Sequence, residues 1–367
     1  MIKFTDLYKL APDKKKIFKK INFLIRNNRF IGGEEVIKFE REFSKFTGSK
    51  YCISVANGTD ALYMALKALK LKKNCEAIVP VNTWISTAEV VVNAGMKVVF
   101  CDINLDDYSI DLKDLKKKIT KKTKVILPVH LYGNPTNIIK IKNIIKNKNI
   151  KIIEDCAQAH GSKIGKKHVG TFGDIGTFSF FPGKNLGCFG DGGGIITNNK
   201  KYYEYLMRLR NHGALGKYDH KFSGINSRLD TIQASVLRIK LKHYKKVLKK
   251  RNYLANIYFN KLKNIKEIFI YKLNKNFLSS FHQFVIRTNH RNALQNYLSD
   301  KKIQTMIHYP YMLNELNFFN YKKKMINSNK LGNKILSLPI SEEHTKTEIL
   351  YVCKQIENFF NLKNKSN

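Results

Sequence analysis

Seven short runs of β-branched and apolar residues recur ahead of residue 200, and their spacing limits the fold more than any other feature of the chain. They are YCISV (51–55), AIVPV (77–81), KVVFC (97–101), KVILPV (124–129), KIIE (151–154), IGTFSF (175–180) and GGIIT (193–197). Most are separated by segments of helical period long enough to cross over a sheet, which favours parallel neighbours with both faces covered. The pattern predicts an α/β fold with a mostly parallel seven-stranded sheet in a large domain. In such sheets the polar residues that matter collect at strand ends. Trp84, the only tryptophan, follows the second run; Asp155 and Gln158 follow the fifth; Ser179 and Lys184 close the sixth.

Helical segments flank these runs. Residues 14–27 read as a helix, and apolar positions 36, 39, 43 and 46 mark another that stops at Gly48. The first strand leads into ANGTDALYMALKAL, where Gly58, Thr59 and Asp60 open a long helix. Strand, small-residue turn and helix N-terminus together offer free N–H groups and the Thr59 hydroxyl to a phosphate or carboxylate. The simpler alternative is that Thr59 or Asp60 caps the helix. After Thr197 come a long helical region, a loop over 216–230 and a helix from Thr231 to about Lys263 without proline or glycine. Shorter apolar runs then alternate with helices, as in a smaller C-terminal α+β domain. The expected division is 1–245 and 246–367, with a frayed tail over 361–367.

The segment Phe178 to Gly194 carries the most chemistry. It reads FSFFPGKNLGCFGDGGG, with Lys184 set between aromatics and glycines. Burial in such a setting lowers an ammonium pKa and frees a nucleophilic amine suited to a covalent bond with a carbonyl. The competing reading is a buried ion pair of Lys184 with Asp174 or Asp191.

Composition excludes several classes. Hydrophobic residues make up 43% and aromatics 11% of the 367 residues, too many for a disordered chain. No apolar run approaches the ~18 residues of a membrane helix, and MIKFTDLYKLAPDKKK lacks an apolar signal core, so a cytoplasmic location is expected. Lys and Arg number 67 against 28 acidic residues, a net charge of +39. Lysine is spread over surface segments such as 113–124 and 240–251, which indicates a compositional bias and not a localised footprint for nucleic acid. The six cysteines show no CxxC spacing and lie mostly in apolar runs, as small buried hydrophobes; no metal site is expected.

The blocks NGTDAL, TWIST, HLYGNP, IEDCAQAHG, FSFFPGKNLG with its GDGG tail, NSRLDTIQA and IHYP occur in order along the chain. Over nearly its whole length the chain resembles the DegT/StrS-type sugar-nucleotide aminotransferases, pyridoxal 5'-phosphate enzymes of the aspartate-aminotransferase fold. The resemblance implies that the large domain binds the cofactor. Lys184 matches the lysine that bonds covalently to it and shuttles the proton, and Asp155 the aspartate that pairs with its pyridinium nitrogen. Trp84 matches the aromatic stacked on the ring, with a plain core position as the alternative. Gln158 matches an amide near Asp155; Gly58, Thr59 and Ser179 match phosphate ligands. Asn226 matches an asparagine reaching the neighbouring subunit's phosphate, which implies a homodimer with shared active sites.

His308 and Tyr309 match a substrate-side loop, but the second proline and histidine that usually follow are replaced here by Tyr311, Met312, Leu313 and Asn314. His220, ahead of Asn226, is a further substrate-binding candidate; its alternative is a solvated loop residue. Arg228 has a local ion pair with Asp230 as its alternative, and His160 is expected in a packing or hydrogen-bonding role. The implied reaction passes an amino group from an amino acid, L-glutamate, to a nucleotide-linked keto-sugar in aminosugar synthesis for surface polysaccharide or glycoconjugate. The segment 217–237 resembles enzymes that act on dTDP-3-keto-6-deoxyhexose. The alternatives are a 4-keto or UDP-linked substrate, or a non-catalytic regulatory protein of the same fold. Lys184 itself argues for transamination, because the family's dehydratase branch carries histidine there.

Overall fold

The computed structural model describes residues 1–321 and 323–366. The seven runs form β1 (Tyr51–Val55), β2 (Glu76–Pro80), β3 (Lys97–Cys101), β4 (Thr123–Ile126), β5 (Lys151–Asp155), β6 (Ile175–Ser179) and β7 (Gly193–Thr197). They make one sheet in the order β1-β7-β6-β5-β4-β2-β3. β2, β3, β4, β5 and β6 run parallel, whereas β7 is antiparallel to both β6 and β1. The antiparallel strand has a simple cause. β7 follows β6 after the Lys184 loop, which forms no helix to carry the chain over the sheet, so it returns in the opposite direction.

Two helices precede the sheet, α1 (Lys14–Arg26) and α2 (Glu34–Thr47); α3 (Gly58–Ala68) follows β1 and α4 (Ser86–Asn93) follows β2. Ala61, Met64 and Ala65 of α3 are fully buried with Ile53, Val79 and Ile153 of the strands in one large core. A second core gathers Phe39 and Phe43 of α2 around Phe178 and Phe180. Their rings meet edge to face, with centroids 5.0 to 5.3 Å apart. That aromatic wall supports the loop that carries Lys184.

The uninterrupted sequence after Asp230 forms α5 (Thr231–Leu262), 32 residues and about 48 Å long at the ordinary helical rise. It packs on α1, α2 and the C-terminal helix α6 (Lys346–Ser366). Arg238 locks it to α2 through Glu35 at 2.6 Å and Glu42 at 2.7 Å. The division placed at 245/246 falls inside this helix. A three-stranded antiparallel sheet of β8 (Phe269–Ile270), β9 (Phe284–Arg287) and β10 (Ile335–Leu338) follows. The expected tail at 361–367 is helical through Ser366, and Asn367 lies outside the described residues. All six cysteines are free, five of them buried. Among the described residues no helix is long and apolar enough to cross a membrane.

Arg251 of α5 is only 2% exposed. It pairs with Glu342 at 2.9 Å and donates to the carbonyls of Phe281 at 3.0 Å and Ile340 at 2.9 Å, tying the long helix to the C-terminal part. Arg251→Leu should lower stability by about 3 kcal/mol, because the carboxylate and two carbonyls lose their donor in a buried setting. An unchanged midpoint in urea unfolding would show that this cluster does not hold the two parts together.

Candidate active site

A cavity of about 720 Å³ opens at the C-terminal ends of the parallel strands and is lined by residues from both ends of the chain. Gly58, Thr59, Trp84, Asp155, Gln158, Ser179, Lys184, His308 and Tyr309 all line it. One end is the N-terminus of α3. The helix is capped by Asn57, whose side chain accepts from the Asp60 N–H at 2.8 Å, and not by Thr59 or Asp60. The Thr59 hydroxyl instead meets Ser86 at 2.8 Å, and Asp60 accepts from Ser227 at 2.6 Å. A Cβ on Gly58 would stand 2.7 Å from Ser179 Cβ, and one on Gly193 would stand 2.1 Å from the Asn57 carbonyl oxygen. Only glycine lets the turn sit this close to β6 and β7. The approach brings Thr59 and Ser179 to one cradle of hydroxyls and helix N–H groups, a setting for a phosphate.

Asp155 lies at the end of β5, buried, and its position is over-determined. One oxygen accepts from the Thr87 hydroxyl at 2.8 Å and the other from the Ala157 N–H at 3.0 Å. Burial raises its pKa above the usual carboxylate range, opposed by those two donors and by the Lys184 charge. Its neighbour Glu154 behaves differently: burial would raise it, but His130 and the N–H groups of Gly170 and Gly173 hold it below its ordinary value. His130 accepts from the Thr136 N–H through Nδ1, so it donates to Glu154 from Nε2 at 3.0 Å. Glu154, His130 and Cys156 are close enough to hold an ion, but the carboxylate is already committed to four donors in the protein.

Lys184 follows the Pro182-Gly183 turn. Burial lowers its pKa to about 8, with Asp155 opposing the shift. Among the described residues its Nζ makes no ion pair: Asp174 is engaged by Lys151 at 3.1 Å, and Asp191 lines the cavity unpaired. The buried-ion-pair alternative therefore does not hold. Trp84 is 58% exposed, so the core alternative fails as well; its ring tilts toward Tyr309 with centroids 5.6 Å apart. Gln158 accepts from the Tyr132 N–H at 2.7 Å and donates to the Tyr309 hydroxyl at 2.9 Å. His308 is bonded to Ser337 at 2.9 Å, and burial, with the Lys184 charge, lowers its pKa to about 4. The unusual continuation after IHYP has a packing role: Met312 and Leu313 are buried, and the Leu313 N–H bonds to the Val81 carbonyl at 3.0 Å.

Two expected residues stand apart within the single chain. Asn226 is exposed and pairs backbone with Asn211, and His220 is exposed and donates to the His212 carbonyl at 2.8 Å. Arg228 faces Asn211 at 3.4 Å and forms no ion pair with Asp230 among the described residues. His160 is buried against Phe178 and Phe180, and its pKa falls to about 3, in keeping with a packing role. The sequence reading missed Thr87, His282, Gln283 and the N-terminal residues Phe4, Thr5 and Leu7, all of which line the cavity. Thr87 was within reach, as it ends the TWIST block; the others arrive from distant segments.

Residues 12–357 match the DegT/DnrJ/EryC1/StrS aminotransferase family. The chain belongs to this family. It is 38% identical over 98% of its length, and 99% of the relative, to the dTDP-3-amino-3,6-dideoxy-alpha-D-galactopyranose transaminase of Aneurinibacillus thermoaerophilus. It is 35% identical to the UDP-2-acetamido-2-deoxy-3-oxo-D-glucuronate aminotransferase of Pseudomonas aeruginosa, over 98% of this chain and 100% of that one. Its fold superposes on DesV from S. venezuelae, crystallised with a ketimine intermediate, with a TM-score of 0.94, 32% identity and 98% of each chain covered. A GDP-4-keto-6-deoxymannose-3-dehydratase holding a trapped PLP-glutamate adduct matches with a TM-score of 0.86 and 27% identity, over 92% of this chain and 96% of that one. This DegT/DnrJ/EryC1/StrS member is a sugar-nucleotide aminotransferase, and its cofactor is pyridoxal phosphate.

The residues present fit the cofactor. A Cβ would fill the Gly58 cradle, a buried carboxylate lies at the strand end, and an amine with a lowered pKa faces the same cavity. An amine that loses its proton near pH 8 is a nucleophile above that pH. Protein stripped of cofactor should therefore capture added pyridoxal phosphate faster as pH rises to about 8, then level off. The absorbance of the bound cofactor reads this; a rate still climbing past pH ~10 would mark Lys184 as an ordinary solvated lysine.

Proposed function

We propose that the chain transfers the amino group of L-glutamate to C3 of a dTDP-linked 3-keto-6-deoxyhexose. The observation that carries the chemistry is Lys184 facing the same cavity as Asp155 with a pKa near 8. When bound, pyridoxal phosphate supplies an electron sink for the carbon that loses its proton. Lys184 would hold it through Nζ, and the same Nζ, neutral above about pH 8, would carry the proton between the two carbons. Asp155, oriented by Thr87 and Ala157, keeps the ring nitrogen protonated through its negative charge. Gly58, Thr59 and Ser179 would hold the phosphate at the N-terminus of α3, and Trp84 would lie against the ring. Gln158 is locked between Tyr132 and Tyr309 and braces the site beside Asp155. His308 and Tyr309 form the substrate side of the cavity, joined by His220 from a second copy.

The 3-amino name of the Aneurinibacillus relative supports the choice of sugar, as does the 3-oxo name of the Pseudomonas relative for the ring position. Lysine at position 184, in place of the histidine of the dehydratase branch, supports amino transfer over removal of a hydroxyl. A charged nucleotide sugar does not cross membranes, so a cytoplasmic location goes with this reading. With glutamate as donor, the purified protein should aminate dTDP-3-keto-6-deoxyhexose far faster than its 4-keto isomer, with the product read by mass. A preference for the 4-keto isomer, or for a UDP-linked uronic acid, would overturn the substrate and leave the family reaction standing.

The site is completed by a second copy in this reading. Asn226 is exposed beside the start of α5, where the Thr231 N–H bonds to the Phe30 carbonyl and the Phe189 N–H to Gln233. Phe30, Ile31 and Phe189 leave large apolar side chains exposed around it, a surface suited to a partner. Mixing Asn226→Ala protein with Lys184→Ala protein should restore activity, because one site of each mixed dimer then carries neither defect. No recovery, with subunit exchange demonstrated by mass, would assign Asn226 to its own subunit.

A further inference from the structure

The segment Ser279–Gln283 enters the cavity wall from the C-terminal part of the chain, and the protein pins it unusually firmly. The Ser279 hydroxyl donates to the Gly133 carbonyl at 3.0 Å, the Ser280 N–H to Ser162 at 3.1 Å and the Ser280 hydroxyl to the Gln158 carbonyl at 3.2 Å. Arg251 holds the Phe281 carbonyl at 3.0 Å. A segment held by this many groups from both parts of the chain delivers its next residue, His282, in a defined pose.

The imidazole of His282 lines the cavity, and its tautomer follows from its neighbours. The Asn185 amide nitrogen donates to the Ser280 carbonyl at 2.9 Å, which leaves the Asn185 oxygen as the atom that faces His282 Nδ1 at 2.9 Å. Nδ1 therefore carries the proton, and Nε2 has a lone pair. Burial pushes the imidazole pKa well below its ordinary value, and the charges of Lys184 and Arg251 push the same way, so the ring stays neutral. Among the described residues Nε2 has no protein partner. Next to it, Gln283 is 4% exposed, lines the same cavity, and its side-chain oxygen is buried without a partner. Two adjacent residues thus bring unpaired acceptors to the wall beside the loop of Lys184. Acceptors of this kind recognise hydroxyl donors.

We propose that His282 is a specificity-determining residue whose Nε2 accepts a hydrogen bond from a ring hydroxyl of the keto-sugar substrate near the carbon that receives the amino group. The assignment rests on the sugar-nucleotide reading above. It places His282 in the second half of the reaction only: glutamate has no hydroxyl, and its one nitrogen donor is the amino group that would take the place of Lys184 Nζ on the cofactor, so nothing is left to donate to His282.

Glutamine and asparagine separate this role from a structural one. Glutamine reaches to the Nε2 position and can present an oxygen there, whereas asparagine reaches only to the Nδ1 position beside Asn185. His282→Asn should raise the KM for dTDP-3-keto-6-deoxyhexose by more than tenfold, in line with the loss of one hydrogen bond in a dry site. The glutamate half-reaction, followed by the absorbance change of the bound cofactor in a single turnover, should stay within about twofold of wild type. His282→Gln should recover most of the sugar KM. The opposite ranking, with asparagine normal and glutamine impaired, would show that His282 serves only to hold Asn185. Equal loss in both half-reactions would likewise overturn the inference. If the wild type converts glutamate but leaves this sugar untouched, the fault lies with the proposed substrate, and the same comparison made with a UDP-linked 3-keto-N-acetylhexosamine decides the role of His282.

Discussion

The geometry of the site depends on one close approach. The turn from β1 into α3 lies against the ends of β6 and β7 at distances no side chain tolerates: a methyl group on Gly193 would meet the Asn57 carbonyl, and one on Gly58 would meet Ser179. Because the gap is closed, the N–H groups and Thr59 hydroxyl of α3 and Ser179 of β6 converge from two segments on one cradle. The antiparallel course of β7 is part of the same arrangement. It brings the glycines after Lys184 back beside β1, so the loop that carries the amine and the turn that forms the cradle are built against each other.

Electrostatics then sorts the polar groups by burial. Asp155 and Lys184 are both displaced toward their neutral forms, yet each moderates the shift of the other. His308, His282 and the packed His160 are all pushed down by burial and by the Lys184 charge, so the two imidazoles that line the cavity, His308 and His282, are uncharged. Glu154, one residue before Asp155, shows the contrast. Alternation along β5 turns it to the other face, where four donors satisfy it and commit it to structure. Adjacent carboxylates on one strand thus divide between holding the fold and facing the cavity.

The sheet was legible because period and crossover length are local properties. All seven runs became strands within three residues of their expected limits, the fourth ending at Ile126 and not at Val129, and the helix after Asp230 is unbroken, as the absence of proline and glycine allows. Capping was less legible. Asn57, Thr59 and Asp60 all suit an N-cap, and only the tertiary partners Ser86 and Ser227 decide that Thr59 and Asp60 are engaged elsewhere. Trp84 illustrates the same limit, since a lone tryptophan after a buried strand is compatible with core or cavity until the exposure of its ring is known.

By itself the sequence determined the parallel sheet, the order of its blocks and the identity of the amine and the carboxylate at strand ends, because these follow from short-range patterning and from residue types that few folds tolerate together. Tertiary structure decided what meets them. Phe4, His282 and Gln283 come from opposite ends of the chain, and no local pattern marks a residue as facing a cavity that it shares with segments more than a hundred positions away. It also decided that Asn226 and His220 stand outside the cavity of a single chain. The physical reason is that burial and electrostatic shifts arise from the summed proximity of many groups, a property of the packed chain that no single stretch of sequence contains.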